Sequence, residues 1–267
     1  AAIHDLRQRL DAYPGTAALM LVIVMDGRSP NGQVLKKLPP RTVAIGRLRK
    51  DARLCLPLAA PAGRPKNGRP RRYGPAAPTP EEVLQDHSCP WVDVPVFAVG
   101  QRRTFQIKTM DAVFWRKTGC NQPLRLVVIK PVGYRLRQGS KLLYRQPAFL
   151  LCTDPALDLT ELVQAYVRRW EIECNHRDEK SFIGVAEGQV RNATAVGRLP
   201  QFQVAGYSLL LLASLRACGF DRTDDYFPLP KWRQKAIRPS ITDIIDLLRA
   251  RLMAGKLALA EEGETFA

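Results

Sequence analysis

The strongest periodic signal in the chain lies in residues 158–184. Leu159, Leu162, Val163, Val167, Trp170 and Cys174 recur at helical spacing as an apolar stripe. Tyr166, Arg169, Glu173 and Lys180 stand at offsets of 3, 7 and 14 from the first of them. At roughly 100° per residue these four share an arc of about 60° beside the stripe. Asp158 and Glu161 form an Asp-x-x-Glu cap signal, and Gly184 marks a stop, so a helix is predicted from there to about residue 182. Such a helix buries its stripe and holds one carboxylate, Glu173, at the edge of the core between two cations and a phenol.

The remaining patterns predict an α/β chain. Residues 18–25 are continuously apolar and end in Asp26-Gly27. A run of this kind predicts a central parallel strand, buried on both faces, with Asp26 at the carboxyl end where open α/β sheets place their ligands. Short helices are predicted over 3–10 and 33–38, and a second strand over 42–48. Residues 57–80 are proline-rich and basic, which predicts an extended segment. Beyond them, 92–99, 102–108, 112–116, 124–130 and 148–153 read as strands of a β-rich insertion rather than a continuation of the parallel sheet. Residues 202–217 predict an apolar helix. Ser240-x-x-Asp243 caps another, predicted to run to residue 253, and the last ten residues are expected to fray.

Charge narrows the class of partner. Among 267 residues, 41 Lys plus Arg face 25 Asp plus Glu, a net charge of +16. That excess favours a polyanion, either nucleic acid or an anionic membrane. The longest apolar runs, 17–25 and 209–213, fall well short of the roughly 20 residues that span a bilayer. Nucleic acid is therefore the expected partner and no membrane association is expected. Arg47, Arg49, Lys50 and Arg53, with Arg64, Lys66, Arg69, Arg71 and Arg72, are candidate contacts to a DNA backbone. The six cysteines are scattered without a Cys-x-x-Cys pair, so neither a zinc site nor a disulfide framework is expected. Idle thiols fit a reducing cytoplasm.

Tyr-x2-Arg-x3-Glu-x6-Lys, written here by Tyr166, Arg169, Glu173 and Lys180 within Tyr-Val-Arg-Arg-Trp-Glu-Ile-Glu, resembles the signature of bacterial insertion-sequence transposases with an Asp-Asp-Glu active site. The resemblance implies a ribonuclease H-like core, with catalytic acids on two strands and on a helix that follows a β-stranded insertion. It implies four segments: an incomplete core at 1–51, a basic linker and β-rich insertion at 52–153, the core helix at 154–184, and a C-terminal helical region at 185–267. The expected activity is Mg²⁺- or Mn²⁺-dependent phosphodiester cleavage and strand transfer at transposon ends. Partners would be double-stranded DNA, both transposon ends and target, and a second copy of the chain. The expected location is the bacterial cytoplasm, at the nucleoid.

On this resemblance Glu173 is the third metal-binding carboxylate and Asp26 the second. The two are expected to converge. Asp51 and Asp154 are the rivals of Asp26, the first better suited to an ion pair and the second to a turn. Tyr166, Arg169 and Lys180 would hold phosphates beside the scissile bond. Trp91 or Trp115 could hold a displaced base, or simply pack. No strand suited to the first acid precedes residue 17, and Asp5 and Asp11 lie in helical or turn context. The expectation is a transposase catalytic region truncated at its N-terminus. The alternative is an inactive DNA-binding remnant, and an unrelated basic protein that binds structured RNA is a third reading.

Overall fold

The computed structural model describes residues 2–27, 30–59, 71–98, 101–135, 137, 139–231 and 236–264. The chain divides into two compact units, Ala1–Val96 with Arg103–Arg169, and Phe97–Arg102 with Trp170–Ala267.

In the first unit, helix α1 (Ala2–Ala12) and the single turn α2 (Pro14–Ala17) lead into strand β1 (Leu21–Met25). Buried Arg7 ties this approach together, donating to the carbonyl of Leu19 at 2.7 Å and pairing with Asp11 at 2.9 Å. The short helix α3 (Gly32–Leu35) precedes β2 (Thr42–Arg47), and α4 (Pro80–Gln85) follows the proline-rich segment. Then come β3 (Val92–Ala98), β4 (Gln101–Val113), a 3-10 turn (Arg116–Thr118) and β5 (Leu124–Ile129). The two-residue strands β6 (Gly133–Tyr134) and β7 (Leu143–Tyr144) pair with each other, and β8 (Ala148–Cys152) leads to helix α5 (Leu159–Ile183).

Six strands form one mixed sheet in the order β1-β2-β8-β5-β4-β3. β1 and β2 are parallel, from Leu21 opposite Thr42 to Met25 opposite Gly46. β2 joins β8 antiparallel, with Gly46 opposite Leu151, and β8, β5 and β4 continue antiparallel. Alternation along the strands covers both faces. Ala44, Leu126, Val128 and Leu151 enter one cluster with Leu35 of α3 and Val83 of α4. Val43, Ile45, Val127 and Leu150 enter the other with Leu162 and Val163 of α5.

Two expectations are corrected by this topology. β1 is an edge strand, not a central one, and Leu19, Met20 and Val22 at its start are exposed. The strands buried on both faces are β2, β8 and β5; in β5, Leu126, Val127 and Val128 have no exposure. A continuous apolar run reports that a strand is apolar on both faces, but not which neighbours it receives. The longer strands of the β-rich stretch, β3, β4, β5 and β8, in turn build no sheet apart from β1 and β2: through the β2–β8 ladder they extend the same one. The strands expected at 102–108 and 112–116 are joined in β4, whose register shifts between Met110 and Val113, where Ala112 has a φ of 55°. A bulge there lets one strand look like two in sequence.

Lys108 of β4 is buried, and its ammonium donates to the carbonyls of Val83, Leu84 and Asp86 at 3.3, 3.1 and 2.5 Å. It thereby caps the C-terminus of α4, where unpaired carbonyls favour a cation. Helix α4 starts on a reciprocal Thr79–Glu82 capping box, a signal present in sequence but not read there.

In the second unit, α6 (Ala193–Cys218) and α7 (Ile241–Glu264) are both longer than predicted. α6 begins nine residues before the expected 202, because Asn192 accepts from the amides of Thr194 and Ala195 and the helix continues through Pro200. α7 starts on the expected box, with Ser240 Oγ accepting from the Asp243 amide at 3.2 Å and Asp243 Oδ2 from the Ser240 amide at 2.8 Å. It continues past 253 to Glu264 instead of fraying, through Ala, Leu, Lys and Glu, which are strong helix formers. Tyr226, Ile244 and Leu247 form its buried cluster. Among the described residues, no helix is long and apolar enough to cross a membrane.

Candidate functional site

Asp26 is the first residue after β1, and Arg47 is the last residue of β2. Because Met25 is opposite Gly46 in a parallel pair, the next residue on each strand is Asp26 and Arg47, both exposed. The candidate acid and a candidate phosphate contact therefore share the carboxyl end of the parallel pair. Asp26 Oδ1 accepts from the Gly27 amide at 2.8 Å. Its other oxygen has no protein partner among the described residues. Hard, exposed carboxylate oxygen is what Mg²⁺ selects, so Asp26 fits a ligand role.

The rival aspartates are occupied otherwise. Asp51 receives two bonds from Arg49, Nε and Nη2 each at 3.0 Å, and this guanidinium holds its carboxyl below the usual range. Arg49, named as a DNA contact, is thus matched to a carboxylate of its own. Asp154 Oδ1 accepts from the Ala156 amide at 2.8 Å, a turn role as expected. On α1, Asp5 pairs with Arg9 and Asp11 with Arg7 and Arg41.

Helix α5 forms as one unbroken element of 25 residues. Asp158 Oδ1 accepts from the amides of Thr160 and Glu161 at 2.8 and 3.1 Å, which fixes its start. At its end Gly184 takes a φ of 72°, in the left-handed region glycine allows, and the Val185 amide bonds back to the Glu179 carbonyl at 3.1 Å. Leu162 and Val163 are fully buried, and Leu159, Tyr166 and Val167 pack half-buried beside them in the first unit. The apolar stripe ends there: Trp170 is 58% exposed. Arg169 is half-buried, and Glu173 and Lys180 are exposed. Asp26 belongs to the first unit and Glu173 to the second.

Sequence reasoning passed over a charged cluster further along the same helix. Glu179 is only 8% exposed and bonds His176 Nδ1 at 3.1 Å. Arg177 pairs with Asp178 at 2.9 Å, and Tyr207 of α6 donates to Asn175 Oδ1 at 3.3 Å. Burial, with Asp178 and Glu179 nearby, pushes the Tyr207 phenol up. The available signal was the His-x-x-Glu spacing, which places 176 and 179 one turn apart.

Of the other named residues, Lys50, Arg53, Arg71 and Arg72 are exposed, and Arg64, Lys66 and Arg69 lie outside the described residues. Trp91 is half-buried, with the ammoniums of Lys108 and Lys130 at 4.5 and 5.3 Å from its ring centroid. Trp115 packs half-buried against the core. Both aromatics therefore have packing roles. All six cysteines are free, Cys120 and Cys152 buried. Among the described residues, no three His, Cys, Asp or Glu side chains group as a metal site. No protein-family model matches the chain, and no curated protein matches it either.

Proposed function

We propose that the chain is the catalytic region of a bacterial insertion-sequence transposase with a ribonuclease H-like core, acting on double-stranded DNA in the cytoplasm. One observation carries the reading. A single capped helix bears Tyr166, Arg169, Glu173 and Lys180 at the spacing of the signature, and follows a mixed sheet whose parallel pair ends in Asp26. In this reading Asp26 and Glu173 are carboxylate ligands for Mg²⁺ or Mn²⁺. The first of the three carboxylates that the chemistry calls for is not assigned to any residue of this chain. Bound magnesium supplies Lewis-acid activation of the attacking oxygen and neutralises charge on the leaving one.

The residues of the chain divide the remaining work. Arg169 and Lys180 hold phosphate oxygens by charge-assisted hydrogen bonds, and Tyr166 donates a neutral one. Arg47, at the strand end beside Asp26, holds the backbone near the same carboxylate. A second copy of the chain is the expected partner for pairing two DNA ends.

The test measures DNA and metal on the same protein. Affinity for duplex DNA should fall roughly 10³–10⁵-fold between 50 and 200 mM salt if six to ten phosphates are contacted. Mn²⁺ uptake, followed by electron paramagnetic resonance, should weaken in Asp26→Asn and in Glu173→Gln while DNA affinity stays within about twofold. Lys180→Ala should weaken DNA binding instead. A flat salt response sinks the nucleic-acid reading. Undiminished Mn²⁺ uptake in both carboxylate variants, with DNA binding intact, leaves the inactive DNA-binding remnant as the function.

A further inference from the structure

A cavity of about 660 Å³ is lined by Asn31, Gly32, Gln33, Lys36, Lys37, Lys117 and Thr118. Its lining carries three ammonium groups and no carboxylate. Five arginines elsewhere in the first unit are matched to carboxylates: Arg7 and Arg41 to Asp11, Arg9 to Asp5, Arg49 to Asp51, Arg125 to Asp111. No ion pair among the described residues includes Lys36, Lys37 or Lys117. Like charges gathered without a counter-charge repel, and an anion in the cleft relieves that repulsion.

Two close approaches make the gathering possible. α3 lies so near the 3-10 turn that a β-carbon at Gly32 would collide with the Thr118 carbonyl oxygen. Gly119 takes a φ of 63°, and a β-carbon there would stand 2.7 Å from Lys36 Nζ. Glycine at both places lets the lysines just after α3 and the lysine of the turn face one cleft. Thr118 is buried and holds the turn by donating to the Trp115 carbonyl at 2.7 Å. His4 is bonded to the Lys37 carbonyl at 2.7 Å, anchoring the other side. The helix end itself offers nothing, because Asn31 Oδ1 already accepts from the amides of Gln33 and Val34. The lysines carry the site.

Its position gives it a use. The cleft begins at Asn31, shortly after Asp26 in the chain, and Pro30 beside it packs on β2: a β-carbon on Gly46 would sit 2.7 Å from Pro30 Cβ. Resting on the DNA reading above, we propose that Lys36, Lys37 and Lys117 form a subsite for backbone phosphates of duplex DNA, flanking the Asp26 end of the parallel pair. The cleft is open rather than enclosed, which suits a continuous polymer. Lysines act on phosphate as point charges, so the contact positions the duplex and reads no bases.

Two measurements on the whole chain test this. Lysine acetylation of the unaltered protein, read by mass spectrometry, should show Lys36, Lys37 and Lys117 protected by duplex DNA and not by inorganic phosphate at equal ionic strength. In Lys36→Ala/Lys117→Ala, the slope of log affinity against log salt should fall by about two, roughly 0.9 per lost phosphate contact, for every DNA sequence tried. Lys36→Arg/Lys117→Arg should keep the parent slope. Equal labelling with and without DNA, protection by inorganic phosphate alone, or an unchanged slope overturns the subsite and leaves the DNA reading standing. Failure of the parent to bind DNA overturns both. If the alanine variant does not fold, the labelling of the unaltered protein decides.

Discussion

The two units of the chain bury their apolar residues to different depths. In the sheet unit, Ile45, Leu126, Val127, Leu150 and Leu162 have no exposure. In the helical unit, Tyr226, Ile244 and Leu247 retain 4–7%, while Phe202, Leu209 and Leu252 are 75, 65 and 66% exposed. Helix α5 runs through both. Its first turns bury Leu162 and Val163, and its later turns expose Trp170 and Ile172. Apolar packing and the Asp158 cap hold the start of this helix, whereas polar contacts hold the later turns: Tyr207 to Asn175, and Gln203 to the carbonyls of Ile183 and Gly184. Glu173 and Lys180, the residues with chemistry, are exposed positions on those later turns.

That contrast is most easily broken by truncating the two cores. Leu162→Ala should cost about 2–5 kcal/mol, the range for deleting a fully buried leucine. Leu247→Ala, with a less complete shell, should fall at the low end, about 2 kcal/mol. Urea unfolding of both variants gives the two values. Hydrogen exchange on the parent supplies the matching map: amides of β5 and β8 should exchange only through global unfolding, those of α6 and α7 through smaller openings. Equal protection in the two units would remove the distinction.

Element type was legible from sequence wherever a period or a cap spoke alone. The Asp158 and Ser240 caps and the Gly184 stop are local signals: the caps are side chains within three residues of the amides they satisfy, and the stop is a positive φ that glycine permits. Topology was less legible. The apolar runs of β1 and β5 look alike, and only the β2–β8 pairing, between residues more than a hundred apart in sequence, decides that one is an edge and the other central. The bulge at Ala112 hid one strand as two for a similar reason. Asp26 was placed correctly at a strand end because a turn signal follows an apolar run. The lysine cleft could not be read, since Lys36 and Lys117 meet through two close backbone approaches that sequence does not display.

Caps sharpen the comparison at a smaller scale. Asp158→Ala and Ser240→Ala each remove one side-chain acceptor from a helix N-terminus, worth about 1 kcal/mol. In α5 the loss falls on a helix whose first turns are locked by Leu162 and Val163, so thermal unfolding should shift without loss of helicity at 25 °C. In α7 the same loss also breaks the reciprocal bond from the Ser240 hydroxyl to Asp243, 2.8 Å long, beside a core of three residues. Far-UV circular dichroism should therefore show α7 fraying at 25 °C in Ser240→Ala and no such change in Asp158→Ala. The same loss of ellipticity in both variants would contradict the difference.

The smallest effect is confined to alkaline pH and to the sheet unit. Cys152 ends β8 with no exposure, and its thiol donates to the Asp154 carbonyl at 3.3 Å. Burial, with the Asp154 charge adding to it, pushes the thiol from its ordinary 9.0 to about 11. The folded state therefore favours the neutral thiol. Below pH 9 the thiol is neutral in both states and its contribution to stability is present in full. Between about pH 9 and 11 the unfolded chain ionises while the fold does not, and that contribution is lost as pH rises through the folded value. Urea midpoints measured from pH 8 to 11 should fall more for the parent than for Cys152→Ala, with the difference between the two flat below pH 9. Iodoacetamide at pH 8 should label Cys152 only after unfolding, because the thiolate is the reacting form and neither it nor access is available in the sheet. Rapid labelling of Cys152 in the folded protein would place it at a surface that the sheet unit, alone of the two, is expected to seal.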